Sequence, residues 1–169
     1  MLSIRAMTQS DISDVYKIET LSFRMPWSKR SLLSELDNHL AHYLVAELDG
    51  KLIGYCGMWV LFEECHITNI AVSPSSRHEG CGKAMLYAAM AVGDLFGATS
   101  MTLEVRETNR IAQELYRQFD FEKQGYRKRY YQDTGEGALL LWNTNLQRTL
   151  KSKACIQDSF VLQWETFEK

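Results

Sequence analysis

One stretch constrains this chain more than any other: Asn69-Ile70-Ala71-Val72-Ser73-Pro74-Ser75-Ser76-Arg77-His78-Glu79-Gly80-Cys81-Gly82-Lys83-Ala84. It opens as a strand, passes through a glycine-bearing loop and enters a helix. Met85, Ala88, Ala89, Val92, Leu95 and Phe96 signal the helix, recurring at helical spacing on one face. Gly97 is placed to end it. Gly80 and Gly82 let backbone N–H groups approach an anion closely, and the helix start adds unsatisfied donors at a positive dipole end. Successive amides in such a turn form an anion nest. The chemistry on offer is a phosphate or pyrophosphate cradle. The competing reading is a glycine turn that does no more than begin a helix. A P-loop is excluded, because no Gly-Lys-Ser/Thr follows at the required spacing, and G-x-G-x-x-G is absent.

The rest of the chain supplies a sheet for that unit. Residues 2–7 alternate enough for a first strand. Thr8 and Asp11 form a capping-box pair before an amphipathic helix carrying Ile12, Val15, Tyr16 and Ile18. Ser28 caps a second helix with Leu32, Leu33 and Leu36. Strands are predicted over 43–48 and 52–62, joined by Asp49-Gly50, a strong two-residue hairpin signal. Others are predicted over 66–72 and 100–105. Asn109 opens a helix with Ile111, Ala112, Leu115 and Tyr116, and two last strands fall near 121–130 and 138–142. The order is β-α-α-β-β-β-α-β-α-β-β. Hairpins demand antiparallel neighbours and helical crossovers demand parallel ones. The fold expected is therefore α/β, with a mixed, mostly antiparallel central sheet flanked by helices. One domain is expected over residues 1–149, with residues 150–169 as a C-terminal extension. Its Ile156, Phe160, Val161, Leu162, Trp164 and Phe167 argue against disorder and suit docking on the domain or on a partner.

Composition narrows the partners. The net charge of −2 and the pI of about 6.1 give no global basic field, so direct nucleic-acid binding is not expected. No apolar run approaches the roughly 20 residues that span a bilayer, and the first residues lack a signal-peptide core. Cys56, Cys65, Cys81 and Cys155 include no C-x-x-C pair, and His39, His42, His66 and His78 have no zinc-ligand spacing. Reduced thiols, no metal and a cytoplasmic location are the expectations.

Within the glycine loop stands Arg-x-x-Gly-x-Gly, at Arg77, Gly80 and Gly82. Set between an Asn-Ile-Ala-Val strand and an apolar helix, it resembles the acetyl-CoA loop of the GNAT acetyltransferases. A second stretch carries Leu103-Glu104-Val105-Arg106, Asn109, Leu115-Tyr116 and Asp120-Phe121. It resembles the ribosomal-protein-alanine N-acetyltransferases, the RimI type. Met25-Pro26-Trp27-Ser28 and Arg127-Lys128-Arg129-Tyr130-Tyr131 fit the same branch. The resemblance spans about residues 3–145. It implies that Ile70, Ala71, Val72, Arg77, His78, Glu79, Gly80, Cys81, Gly82, Lys83, Asn109 and Tyr116 hold acetyl-CoA. It makes Glu104 the base and Tyr116 the acid, and it assigns Glu64, Asn69, Tyr130 and Tyr131 to the acceptor. Three positions depart from the pattern. Glu79 stands where the family is often basic, Asp120 where glycine is usual, and Gly137 where aspartate is usual.

The implied reaction sets its own demands. An amine must lose its proton, attack a thioester and expel a thiolate. An α-amine has a pKa near 7.7–8.0 and a lysine near 10.4, so about a tenth of the former is neutral at pH 7 and well under a thousandth of the latter. A carboxylate acting directly or through water is thus better matched to N-termini. Plainer readings exist: Glu104 as a solvated strand-end charge, Tyr116 as a core aromatic with its hydroxyl at the surface. A covalent route through Cys81 would need an activating base and is disfavoured. The leading expectation is acetyl transfer from acetyl-CoA to a protein N-terminus, as of a small-subunit ribosomal protein beginning with alanine. A lysine side chain or small amine as acceptor is the alternative on the same scaffold. A non-catalytic acyl-CoA-binding sensor is the alternative outside enzymes.

Overall fold

The computed structural model describes residues 1–167. The strands are β1 (Leu2–Ala6), β2 (Ala41–Leu48), β3 (Lys51–Leu61), β4 (Glu64–Val72), β5 (Ser100–Arg106), β6 (Glu122–Arg127), β7 (Ala138–Asn143) and β8 (Val161–Leu162). They form one sheet in the order β6-β7-β5-β4-β3-β2-β1-β8. The pairs β4–β5 and β1–β8 are parallel and the others antiparallel. The helices are α1 (Ile12–Ser22), α2 (Lys29–Leu36), α3 (Cys81–Leu95), α4 (Arg110–Gln118) and α5 (Leu146–Ser152). The expected mixed, mostly antiparallel fold is what forms. Among the described residues no helix is long and apolar enough to cross a membrane.

The local signals act as their chemistry requires. Thr8 N–H donates to Asp11 Oδ2 at 2.7 Å ahead of α1, and Ser31 N–H donates to Ser28 Oγ at 3.1 Å at the start of α2. Asp49 and Gly50 take φ of 51° and 79°, the left-handed pair that a two-residue hairpin needs. The two sheet faces bury separate cores. Val15, Ile18, Leu32, Val45 and Tyr55 pack beneath α1 and α2. Met85, Leu86, Met90, Leu103, Phe119 and Leu146 pack on the face covered by α3.

Two elements differ from expectation. Strand β6 stops at Arg127 rather than near residue 130, and Arg129 turns to φ 52°. The strand expected near 121–130 therefore ends before Lys128. At the other end, the boundary expected after residue 149 falls inside α5. Phe160 and Phe167 are buried in the α3-side core, and β8 adds a parallel strand to β1. The extension docks on the domain itself; Glu168 and Lys169 lie outside the described residues.

The feature that positions the site is a split in the sheet. Strands β4 and β5 pair only at Glu64–Ser100, Cys65–Met101 and His66–Thr102. Beyond that point β4 carries an extra residue, Thr68, since Met58 pairs with Ile67 and Gly57 with Asn69. A bulge bends its strand. The rest of β4 follows β3, leaves β5, and opens a cleft in the middle of the sheet.

Candidate active site

The cleft encloses about 560 Å³. Ile67 to Ile70 of β4 and Leu103 to Arg106 of β5 form its two edges. Asn109, Ala112 and Tyr116 enter from α4, and Tyr130 to Asp133 from the turn after β6. The remaining wall comes from the end of α1 and the loop that follows, with Glu19, Ser22, Phe23, Arg24, Met25 and Trp27.

Glu104 and Tyr116 meet in this space. His66 Nε2 lies 2.8 Å from Glu104 Oε2, and Arg127 Nε lies 3.6 Å from Oε1. The His66 hydrogen bond, against the opposing cost of burial, holds the Glu104 carboxyl below the usual range. Tyr116 is buried, and its hydroxyl has no hydrogen-bond partner among the described residues. Burial pushes that hydroxyl up from its ordinary value, so it keeps its proton at neutral pH. Asn109 caps α4 by accepting from Ala112 N–H at 3.2 Å while lining the cleft. Tyr131 lies under the Arg106 guanidinium, 3.9 Å from its ring centre, and burial pushes its hydroxyl up to about 12. Arg106 also pairs with Asp133 at 2.9 Å, which ties the turn carrying Tyr130 and Tyr131 to the end of β5.

The glycine loop has the form of an anion cradle. His78 and Gly80 take φ of 68° and 82°, and Gly80 directly precedes α3. The backbone N–H groups of Gly80, Gly82 and Lys83 have no acceptor among the described residues. A Cβ on Gly82 would meet nothing closer than Leu115 at 3.6 Å, and one on Gly80 nothing within 4 Å. The protein's own packing therefore does not demand glycine at position 82; the space it leaves suits a group pressed against the backbone, as a pyrophosphate would be. Arg77 Nε donates to Val72 O at 3.1 Å and ties the loop to the end of β4. Ile70, Ala71 and Val72 pair with β3 and leave their other edge free where β5 has departed. His78, Glu79 and Lys83 are exposed. Cys81 is buried, and both burial and Glu79 push its thiol up, which suits a packed side chain rather than a nucleophile.

A family model for the GNAT acetyltransferases matches residues 12–121. The chain belongs to the GNAT acetyltransferase family. A Bacillus subtilis (strain 168) protein provisionally named ribosomal protein bS18-alanine N-acetyltransferase is 44% identical over 143 residues, covering 84% of this chain and 95% of its own length. A Haemophilus ducreyi ribosomal protein bS18-alanine N-acetyltransferase is 30% identical over 128 residues, covering 76% and 88%. The crystal structure of the Escherichia coli ribosomal-protein-S18-alanine N-acetyltransferase superposes with a TM-score of 0.78 at 27% identity, covering 84% of this chain and 92% of that one.

Of the residues expected at the acceptor, Asn69, Tyr130 and Tyr131 line this GNAT cleft. Glu64 does not: it opens β4, exposed, at the end where β4 and β5 are still paired. Sequence reasoning missed His66, Arg127, Glu19 and Ser22. Nothing in the linear chain aligns β4 with β5, so the His66–Glu104 contact carried no signal. Glu19 lay within a helix pattern, yet it is buried at the cleft, where Trp27 N–H donates to it at 2.9 Å and the Tyr55 hydroxyl donates to its other oxygen.

Proposed function

We propose that this N-acetyltransferase transfers the acetyl group of acetyl-CoA to the N-terminal α-amine of a protein, with a ribosomal protein beginning with alanine as its acceptor. The carrying observation is the meeting of Glu104 and Tyr116 in one cleft whose walls include Phe23, Met25, Trp27, Tyr130 and Tyr131. A cleft walled in part by large aromatic and apolar side chains suits a peptide better than a small polar amine. The names of the relatives support the same acceptor.

Acetyl-CoA supplies the thioester whose carbonyl carbon the amine attacks. Backbone N–H groups along the free edge of Ile70 to Val72 polarise that carbonyl. Glu104, ionised and flanked by His66, receives the amine proton directly or through water. The C–N bond forms, the C–S bond breaks, and the sulfur departs as a thiolate toward the Tyr116 hydroxyl. A thiol near 8.5 is a stronger acid than a phenol raised above 10, so full transfer from Tyr116 is uphill by at least about 2 kcal/mol. Tyr116 therefore acts mainly as a hydrogen-bond donor to the leaving sulfur.

Release of free thiol from acetyl-CoA, followed across peptides that differ in their first two residues, tests the proposal. Lysine-blocked peptides and free polyamines serve as controls. Turnover should require a free peptide α-amine. Turnover on lysines or polyamines alone would move the enzyme to the alternative acceptor class, and binding without turnover would make it a sensor. Tyr116→Phe should lower kcat about 10- to 100-fold, the worth of a hydrogen bond to a charged group. A wild-type kcat in that variant would remove Tyr116 from the chemistry.

A further inference from the structure

Among the described residues, two side-chain polar atoms that are themselves fully shut off from solvent have no hydrogen-bond partner: Asn69 Nδ2 and Ser22 Oγ. Both residues line the cleft. Such atoms are rare in native interiors, because each has given up water without a replacement.

Asn69 is held firmly. Its Oδ1 accepts from the Tyr43 hydroxyl at 3.2 Å and from the Thr68 hydroxyl at 2.8 Å. Thr68 is the extra residue of the β4 bulge. The Tyr43 ring reaches Asn69 only because residue 57 is glycine: a Cβ there would stand 2.3 Å from Tyr43 Cζ and 2.7 Å from Asn69 Oδ1. Two hydroxyls on one oxygen fix the amide and leave its N–H groups unpaired. Asn69 shares a strand face with Ala71, which packs beneath α1 and α2. Ser22 ends α1. Tyr116 and Cys81 belong to the opposite core. The two unpaired atoms thus lie toward the opposite face of the sheet from Tyr116 and the start of α3.

We propose that Asn69 Nδ2 donates to the carbonyl oxygen of the acceptor's first residue, with Ser22 Oγ as a second contact to the same backbone, so that the site selects amines with a carbonyl on the adjacent carbon. The inference rests on the peptide reading above. In a peptide N-terminus the amine and the carbonyl share one Cα. A lysine side chain or a polyamine has only methylenes at that distance. An unfilled donor penalises an amine that cannot fill it.

The test compares an alanine-starting peptide with the same peptide whose first amide is replaced by a trans-alkene, a shape mimic without the carbonyl. With rates taken on the high-pH plateau, where both amines are neutral, wild type should prefer the true peptide in kcat/KM by about 10- to 100-fold. Asn69→Ala and Asn69→Asp should both bring that preference near one and leave acetyl-CoA affinity unchanged; aspartate keeps the shape and the accepting oxygens but has no N–H. Ser22→Ala should reduce the preference less. Asn69→Asp retaining the preference would overturn the donor role. Equal losses on both acceptors would show a merely structural part and overturn it too. A wild type that acetylates the peptide without preferring it over the alkene overturns this inference alone, whereas one inactive on every peptide overturns the function beneath it.

Discussion

Glu104 owes its state to neighbours that lie far from it in the chain. His66 and Arg127 keep its carboxyl ionised across the neutral range, which makes it a weak base. A weak base suffices only for an amine that is already partly neutral. The acid limb of kcat/KM should therefore follow the acceptor, near 7.7–8.0 for an α-amine, and activity should rise with pH through that range. Peptides whose α-amines differ in pKa should shift the limb one for one, and Glu104→Gln should lower the plateau without moving it. A limb fixed at one pH for all acceptors would assign it to the enzyme instead. The same depressed carboxyl contributes stability above its unfolded value near 4.3, and that stability is lost as pH falls through the folded value. Glu104 and Tyr116 were legible in the sequence because their neighbours form a recognisable string. Asp120 was legible as a departure, and its φ of 60° shows why glycine is usual there. The Thr149 hydroxyl donates to Asp120 Oδ2 at 2.6 Å, a contact that glycine would not make.

Among the elements, the hairpin, the caps and the glycine loop were all readable from local chemistry. The end of β6 was not, because Arg127 to Tyr131 mixes strand-forming residues with a turn imposed by Arg106 and its partners. Gly137 belongs to the same region. A Cβ there would lie 2.1 Å from the Tyr126 hydroxyl, so the tyrosine of β6 occupies the space that the usual aspartate would claim. Tyr126 is half exposed and has room to swing outward, which limits the damage. Gly137→Ala should destabilise the protein by about 1 kcal/mol, at the low end for overpacking. In urea denaturation, adding Tyr126→Ala should cancel much of that loss; strict additivity would mean that the two side chains do not compete.

The molecule as a whole is larger than the part that could be read. The strand order within the sheet and the docking of the last residues depend on contacts between distant segments, which no single-sequence pattern encodes. Phe160 packs edge-on against Tyr87 of α3, with ring centres 6.2 Å apart, and sits in the main core. Phe160→Ala should cost about 3 kcal/mol in urea unfolding, the scale of a core phenylalanine. A loss under about 1 kcal/mol would make the extension an accessory. Strand β8 also covers the edge of β1 that would otherwise stand open. The split between β4 and β5 gives the molecule the mechanics of a pair of tongs. One jaw is β5, β6 and β7 with α4, bearing Glu104 and Tyr116; the other bears Asn69 and the loop ahead of α3. Within the sheet they are joined at one end by the three residue pairs that begin with Glu64–Ser100. Any load that parts the tips carries both reacting groups away from Asn69 together, so grip on the acceptor and alignment for chemistry vary along a single coordinate.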